Sequence, residues 1–305
     1  MTAHILVLMG GETRERQVSL DSGAACVRGL RAAGYAVSTL DPSGDPALWI
    51  AALIDQNPDV VFNALHGPFG EDGKIQGLLE ALQLPYTHSG TLASAAAMDK
   101  IMSKALFSKA GLTVVADREV SLNDLQTGGD PLPRPYVIKP VDEGSSMGVL
   151  IIEDGTDLDL TPLHGYDRLM AETFVPGREL TVSCFNGSAK VVTELSPHEG
   201  FYNYQAKYTD GKTDHLIPAN LPDPIRVQCL KDTQTAYAAL GCRGVARADF
   251  RYNPDAPAGQ QLVILEINTQ PGMTELSLVP EQAAHLGVSF PELVQMMVED
   301  ASCNR

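Results

Sequence analysis

The sequence predicts an α/β chain: a parallel α/β layer over residues 1–95, then α+β units over 96–180 and 181–305. Three observations predict it. Strand-like and helix-like patterns alternate through the first stretch, which is the signature of a parallel sheet with crossover helices. After Gly111 the texture changes to short β-branched runs separated by loops. In the unit from 181 onward, two alternating runs meet at Asn186-Gly187, the strongest short hairpin signal, and a second pair of long runs follows.

The elements read in order. "HILVLMGG" is a strand stopped by Gly10 and Gly11, and Val18, Leu20, Ala25, Cys26 and Leu30 then give a helical stripe that Gly34 ends. "YAVSTLD" and "PDVVFNALHG" are the second and third strands, and "DGKIQGLLEALQLP" is a helix closed by Pro85. "TLASAAAMDKIMSKALFSKAGL" reads as one strong helix to Gly111. "TVVADREVS", "PYVIKPVDEG" and "MGVLIIE" are strands with loops, and "HGYDRLMAETFVPG" carries the chain out of that unit. "RELTVSCFNGSAKVVTEL" is the first hairpin, followed by a polar, Tyr-rich loop over about 197–216. "PIRVQCLKDTQTAYAALG" is a helix with Pro at its start and Gly at its end. "GVARADFRYN" and "QQLVILEIN" form the second hairpin.

Composition narrows the function classes. The 305 residues are 44% hydrophobic and 20% charged, ordinary for a globular protein. No apolar run reaches the roughly 18–20 residues of a membrane helix, and "MTAHILVLMGG" has no basic leader, so the expected compartment is cytoplasmic, with no membrane partner. A net charge of −16 argues against a nucleic-acid partner. The five cysteines are odd in number and lack C-x-x-C spacing, so buried or free thiols are expected rather than disulfides or zinc.

Four constellations could carry chemistry. Strand alternation puts Arg247 with Asp249, and Glu266 with Asn268, while Ala246, Ala248, Ile264 and Ile267 suit packing. If the strands pair, Asp249, Glu266 and Asn268 converge as an all-oxygen set suited to magnesium; the alternative is a solvated polar face. In "YVIKPVDEGSSMGV", Lys139 ends a strand and Gly144-Ser145-Ser146 forms a small-residue loop, either a phosphate cradle or a plain turn. It is neither a P-loop nor a dinucleotide fingerprint. "GGETRERQVSL" offers glycine N–H groups and a helix start, with Glu15 placed to grip an ammonium or simply to complement the helix dipole. His66 sits where the third strand ends among Gly67, Gly70 and Gly73, the usual ligand crevice of an open α/β sheet, though a lone His is often structural.

Together these segments resemble the D-alanine–D-alanine ligases of the ATP-grasp superfamily. The resemblance rests on "GGETRERQVSL", "HGPFGEDGKIQG", "PYTHSG", "MDK", "KPVDEGSSMGV", "PGRELTV", "YNYQAKY", "RADF" and "LEINTQPGMTELSLVP", in the family's order from Gly10 to Pro280. It implies an ATP-grasp fold with ATP between the central and C-terminal units. By matching position, Lys100, Lys139 and Lys207 would face the phosphates, Glu172, Phe174 and Val175 would line the adenine pocket, and Glu179 would hold the ribose. Asp249, Glu266 and Asn268 would bind two Mg2+ ions, for which Mn2+ can substitute. Glu15, with Ser145 and Tyr208, would hold the first D-alanine's ammonium, and His66 would neighbour its carboxylate. Ser277 and Leu278 would seat the second D-alanine, and Arg247 with the Gly272 N–H would face the oxyanion. The family also implies a homodimer.

Three positions depart from the family pattern: His88 replaces a usual Gly, Gln205 a frequent Glu, and Glu12 a Ser or Thr. His88 is expected to add bulk near the first-substrate region. The implied reaction is phosphorylation of one D-alanine, then attack by the amine of another, beneath the closing loop "HEGFYNYQAKYTDGKTDH". "QAKY" resembles the dipeptide-forming type rather than the D-lactate or D-serine types. Rival readings are an ATP-grasp ligase for L-amino acids and a non-catalytic ATP-binding regulator.

Overall fold

A computed structural model describes residues 2–198, 211–274 and 277–304. Three sheets organise it.

The first is parallel, with β1 (His4–Leu8) between β2 (Ala36–Leu40) and β3 (Val60–Asn63). Helices α1 (Arg16–Ala32), α2 (Pro46–Gln56) and α3 (Lys74–Ala81) connect and flank it. β1 is buried on both faces, as a central parallel strand must be, so it reads as an unbroken apolar run. Helix α2 goes unnamed in the strand alternation above, but its signals are present: Asp45 caps Ala47 N–H, Pro46 opens the helix, and Asn57 closes it in the left-handed region.

The stretch read as one helix is two, α4 (Thr91–Met98) and α5 (Lys100–Lys109). Asp99 separates them with an extended backbone, and its side chain accepts from Met102 N–H. An N-cap residue inside an Ala-rich run overrides propensity, because it satisfies donors that a new helix start exposes. The break turns Lys100 toward the 142–148 loop, where its Nζ donates to the Glu143 carbonyl at 2.6 Å.

The second sheet is antiparallel, ordered β4 (Asp117–Val120), β7 (Leu169–Thr173), β5 (Tyr136–Pro140), β6 (Leu150–Ile152), with α6 (Leu122–Gly128) beside it. Strand β7 lies inside the segment expected only to carry the chain onward. Leu169 and Ala171 pack into the core beside Tyr136 and Ile138 of β5, while buried Glu172 on the opposite face looks into a cavity.

The third sheet runs β11 (Thr213–Leu216), β10 (Thr193–Pro197), β8 (Arg178–Phe185), β12 (Val245–Tyr252), β13 (Leu262–Asn268), with β9 (Ser188–Ala189) against β8. Asn186 and Gly187 both have positive φ, the conformation of the tight hairpin turn expected there. The loop expected over 197–216 instead regains strand form at β11, which pairs along β10 from Thr213 to Leu216. Its middle lies outside the described residues. Helix α7 (Asp223–Leu240), ended by Gly241 at φ 70, packs on this sheet beside Ala97, Phe107 and Leu112 from the α4–α5 stretch. The final helices α8 (Leu278–His285) and α9 (Phe290–Asp300) return to the first sheet, where Val279, Ala283, Leu293 and Val294 share a core with Ile5, Val7 and Leu30. All five cysteines are free thiols and four are buried, as composition led one to expect.

Candidate active site

The β12–β13 hairpin sets the site. Its register pairs Arg247 with Asn268 and Asp249 with Glu266, so these four polar residues share one face while Ala246, Ala248 and Phe250 pack behind. A bulge then shifts the register between Asp249 and Phe250, so that Phe250 pairs with Ile264. The bulge explains how Ile264 and Ile267, three apart, both reach the core. It also leaves Leu265 and Glu266 together on the wall of a cavity. Arg247 grips Asp249 through two hydrogen bonds of 2.9 and 2.8 Å, and Thr181 Oγ1 donates to the same carboxylate at 2.6 Å. Lys100 Nζ stands 3.9 Å from Glu266. Asn268 Oδ1 accepts the Gln270 N–H at 2.7 Å.

Two cavities meet along this hairpin. One, of about 860 Å³, is lined by Glu15, His66, Ser145, Arg247, Asn268, Gly272, Ser277 and Leu278 among others. The other, of about 960 Å³, lies between the second and third sheets and is lined by Lys139, Glu172, Phe174, Val175, Glu179 and Asp249. Lys100, Glu143, Gly144 and Glu266 line both, so the wall between the cavities is shared. Lys207 and Tyr208 lie outside the described residues.

In the first cavity, Glu15 is buried with its Oε1 accepting from Ser145 Oγ and its Oε2 without a hydrogen-bond partner among the described residues. Burial, helped by nearby Glu71, pushes its carboxyl up to about 7, against opposing contributions from Ser145 and His66. Gly67 makes room for it: a Cβ there would stand 2.6 Å from Glu15 Oε2, and its φ is +74°. Ser145 and Ser146 hold φ values of 50° and 55°, positions that cost a non-glycine residue roughly 1–2 kcal/mol each. Such strain concentrates where a loop must present a side chain. His66 is oriented by Glu71, whose Oε1 accepts from Nδ1 at 2.9 Å, while Ser22 Oγ lies 3.3 Å from Nε2.

The glycine N–H groups after β1 are not free for a ligand. Gly10 N–H donates to Ser19 Oγ and Gly11 N–H to Asp41, whose carboxylate Arg16 also holds. The N–H groups that the sequence offers at this loop are thus used by the chain's own acceptors, and Glu15 is what the loop presents to the cavity. His88 is also displaced from expectation. Its left-handed backbone, φ 70°, carries the ring to Thr87 and edge-on to Phe62, and it lines neither cavity.

In the second cavity, Lys139 Nζ donates to Glu172 Oε1 at 2.5 Å and buried Lys104 donates to Oε2 at 3.0 Å. Burial alone would raise the Glu172 carboxyl, but the two ammonium groups outweigh it and hold it below the usual carboxylate range. Lys104 also stands 3.2 Å from Asp117. Sequence reading missed Lys104, although it lies four residues after Lys100 and so on the same helix face. It also missed Glu71, Glu143 and Arg251. Glu71 follows His66 within a glycine-rich turn, which was the available signal.

Two antiparallel sheets that close on one cleft, with lysines on one wall and a carboxylate hairpin on the other, define an ATP-grasp protein. The chain matches the family described as "D-ala D-ala ligase N-terminus" over residues 41–89 and "D-ala D-ala ligase C-terminus" over 107–299. It therefore belongs to the D-alanine–D-alanine ligase family. Relatives bearing the name D-alanine--D-alanine ligase include that of Paramagnetospirillum magneticum, 50% identical with 100% of both chains covered. That of Acidiphilium cryptum is 51% identical, covering 98% of each. Among solved structures, the D-alanine--D-alanine ligase of Bacillus anthracis complexed with ATP is 29% identical, with TM-score 0.79, covering 98% of this chain and 97% of that one.

Proposed function

We infer that this chain joins two D-alanine molecules into D-alanyl-D-alanine at the expense of ATP, through a D-alanyl phosphate, supplying a peptidoglycan precursor. The observation that carries this reading is the shared wall. A substrate held by its ammonium at Glu15 extends its carboxylate toward Lys100, Glu143, Gly144 and Glu266, which also bound the cavity suited to ATP. Family membership and the ATP-complexed neighbour support it.

The residues divide the work. A carboxylate resists amine attack because oxide is a poor leaving group; phosphorylation supplies a good one, and the transfer needs positioning and charge neutralisation. Phe174 and Val175 receive the base, Glu179 the ribose, and Lys100, Lys139 and Lys207 the phosphates. Glu172 keeps Lys139 and Lys104 in place from behind, rather than acting as a bare lining residue. Glu15 takes the first ammonium on its unpartnered Oε2, with Ser145 and Tyr208 completing the group and His66 beside the carboxylate. Ser277, Leu278 and the α8 N-terminus receive the second D-alanine. Arg247 faces the tetrahedral oxyanion with the Gly272 N–H; one such donor contributes about 3–4 kcal/mol.

Asp249, Glu266 and Asn268 fit two Mg2+ ions, or Mn2+: the donors are all oxygen, two carboxylates face each other in register, and cationic side chains now neutralise them. When bound, the metal neutralises charge on the phosphate oxygens. Arg247, which here holds Asp249 by two hydrogen bonds, lies on the same face as these donors and so beside the place where the oxyanion would form. We further infer a cytoplasmic homodimer; among the described residues no helix is long and apolar enough to cross a membrane.

The test is phosphate release from ATP with magnesium, with D-alanine, L-alanine, D-lactate or D-serine added singly. Release should rise with D-alanine alone among them. A rise equal with L-alanine, or none with D-alanine, overturns the reading.

A further inference from the structure

We propose that Arg251 is a positioning residue that fixes the base-and-ribose end of the nucleotide cavity. The proposal rests on the reading of that cavity as the ATP site and of Glu179 as the ribose residue.

Residues 174–177 form the strap by which the chain leaves β7 in the second sheet and enters β8 in the third. A strap of this kind has no ladder partner, so its carbonyls need donors from elsewhere. Arg251 supplies them. Its Nε donates to the Val175 carbonyl at 3.0 Å and its Nη2 to the Gly177 carbonyl at 2.8 Å. Its Nη1 stands 3.3 Å from Glu179 Oε2, and its guanidinium carbon is 6.0 Å from the centre of the Phe174 ring. One planar group thus holds the strap, the carboxylate and the aromatic wall together.

Two features of the backbone make this geometry possible. The β12–β8 register sets Arg251 directly opposite Glu179, so their side chains leave the same face. Gly177, at φ +106°, lets the strap lie against β12: a Cβ there would fall 2.3 Å from the Tyr252 carbonyl. No side chain other than glycine allows that approach, and without it the 177 carbonyl would stand farther from the guanidinium. The fork geometry is also specific to arginine, because an ammonium is a single point of donors on a flexible stem.

The consequence is kinetic. A strap held by Arg251 presents Val175 and Phe174 to the base and Glu179 to the ribose before ATP arrives, so less ordering is left to binding. Arg251 lies at the opposite end of the cleft from Glu15 and leaves D-alanine binding alone.

The test compares KM for ATP and for 3′-deoxy-ATP at saturating D-alanine in the whole enzyme and in R251M, R251K and E179Q. R251M should raise KM for ATP about tenfold, the loss expected for charge-assisted bonds, with kcat within about threefold and KM for D-alanine within about twofold. R251K should fail to restore it. The preference for ATP over 3′-deoxy-ATP should shrink in R251M as it does in E179Q. If E179Q leaves that preference unchanged, the ribose reading fails, and the R251M shift in KM for ATP alone decides the proposal. If E179Q alters the preference while R251M changes neither it nor KM for ATP, the proposal is overturned, even where R251M melts earlier. Should R251M not fold, R251K decides: wild-type KM values in R251K refute the fork argument.

Discussion

Glu15→Gln should stabilise the ligand-free protein while crippling it as a ligase. Burial is the largest cause that lifts the Glu15 carboxyl from the usual 4.5 to about 7, and Glu71 adds to it. Above pH 7 the folded protein therefore carries a charge that it disfavours relative to the unfolded chain. The sign follows: the cost is fully present above the folded value and is relieved as pH falls through 7 toward 4.5. At 1.36 kcal/mol per unit, that window corresponds to an upper bound of about 3 kcal/mol at pH 8. Glutamine keeps an acceptor for Ser145 Oγ and removes the charge, so it should recover part of that amount. Thermal-shift measurements at pH 8 should show E15Q melting above wild type, and the gap should close by pH 5. D-alanine should raise the melting temperature of wild type and not of E15Q, since the ammonium's counter-charge is gone. For the same reason KM for the first D-alanine should rise roughly 100-fold, in line with loss of a charged hydrogen bond. In wild type, that KM should rise about tenfold from pH 8 to pH 6 as the free enzyme's Glu15 takes a proton. An E15Q protein that melts below wild type at pH 8 and binds D-alanine normally would refute the reasoning.

Glu266→Gln should abolish measurable turnover while circular dichroism and melting stay near wild type, because its side chain faces the cleft rather than the core; normal turnover removes it from the proposed metal site. Lys104→Met should lower stability by about 3–5 kcal/mol, read by urea titration, since it leaves a buried carboxylate short of one partner; a change under about 1 kcal/mol contradicts the Lys104–Glu172 pairing. His88→Gly should leave KM for D-alanine within about twofold, because the ring lines neither cavity and a glycine suits φ 70° at least as well. A tenfold change in that KM would bring His88 back into the substrate region.

Several elements were legible because local chemistry fixed them. Asn186-Gly187 forced a tight turn, and Pro and Gly bounded α7. Others were hidden by competition between signals. The Ala-rich stretch from 91 to 112 has one helical propensity throughout, and only the capping bond from Asp99 splits it. Strand β7 is buried in a segment whose apolar run is too short to stand out. His88 looked like a pocket residue by its motif, yet a left-handed backbone turned its ring inward. Lys104 and Arg251 escaped notice because a buried ion pair or a carbonyl clamp depends on partners 68 and 76 residues away along the chain. Spacing shows none of the long-range partners.

By itself, then, the sequence determined the class of fold, the all-oxygen face of the last hairpin, and the family through motifs in order. Alternation along a strand and turn chemistry are properties of a few adjacent residues, and they survive without tertiary context. Only the tertiary structure decided that Glu15 is buried with one carboxylate oxygen unpartnered among the described residues, that Arg247 holds Asp249, that the glycines after β1 serve the protein's own acceptors, and that two cavities share the wall at Lys100 and Glu266. Each of those depends on which groups packing brings side by side and removes from water. Burial and through-space charge belong to the packed molecule, not to any stretch of the chain.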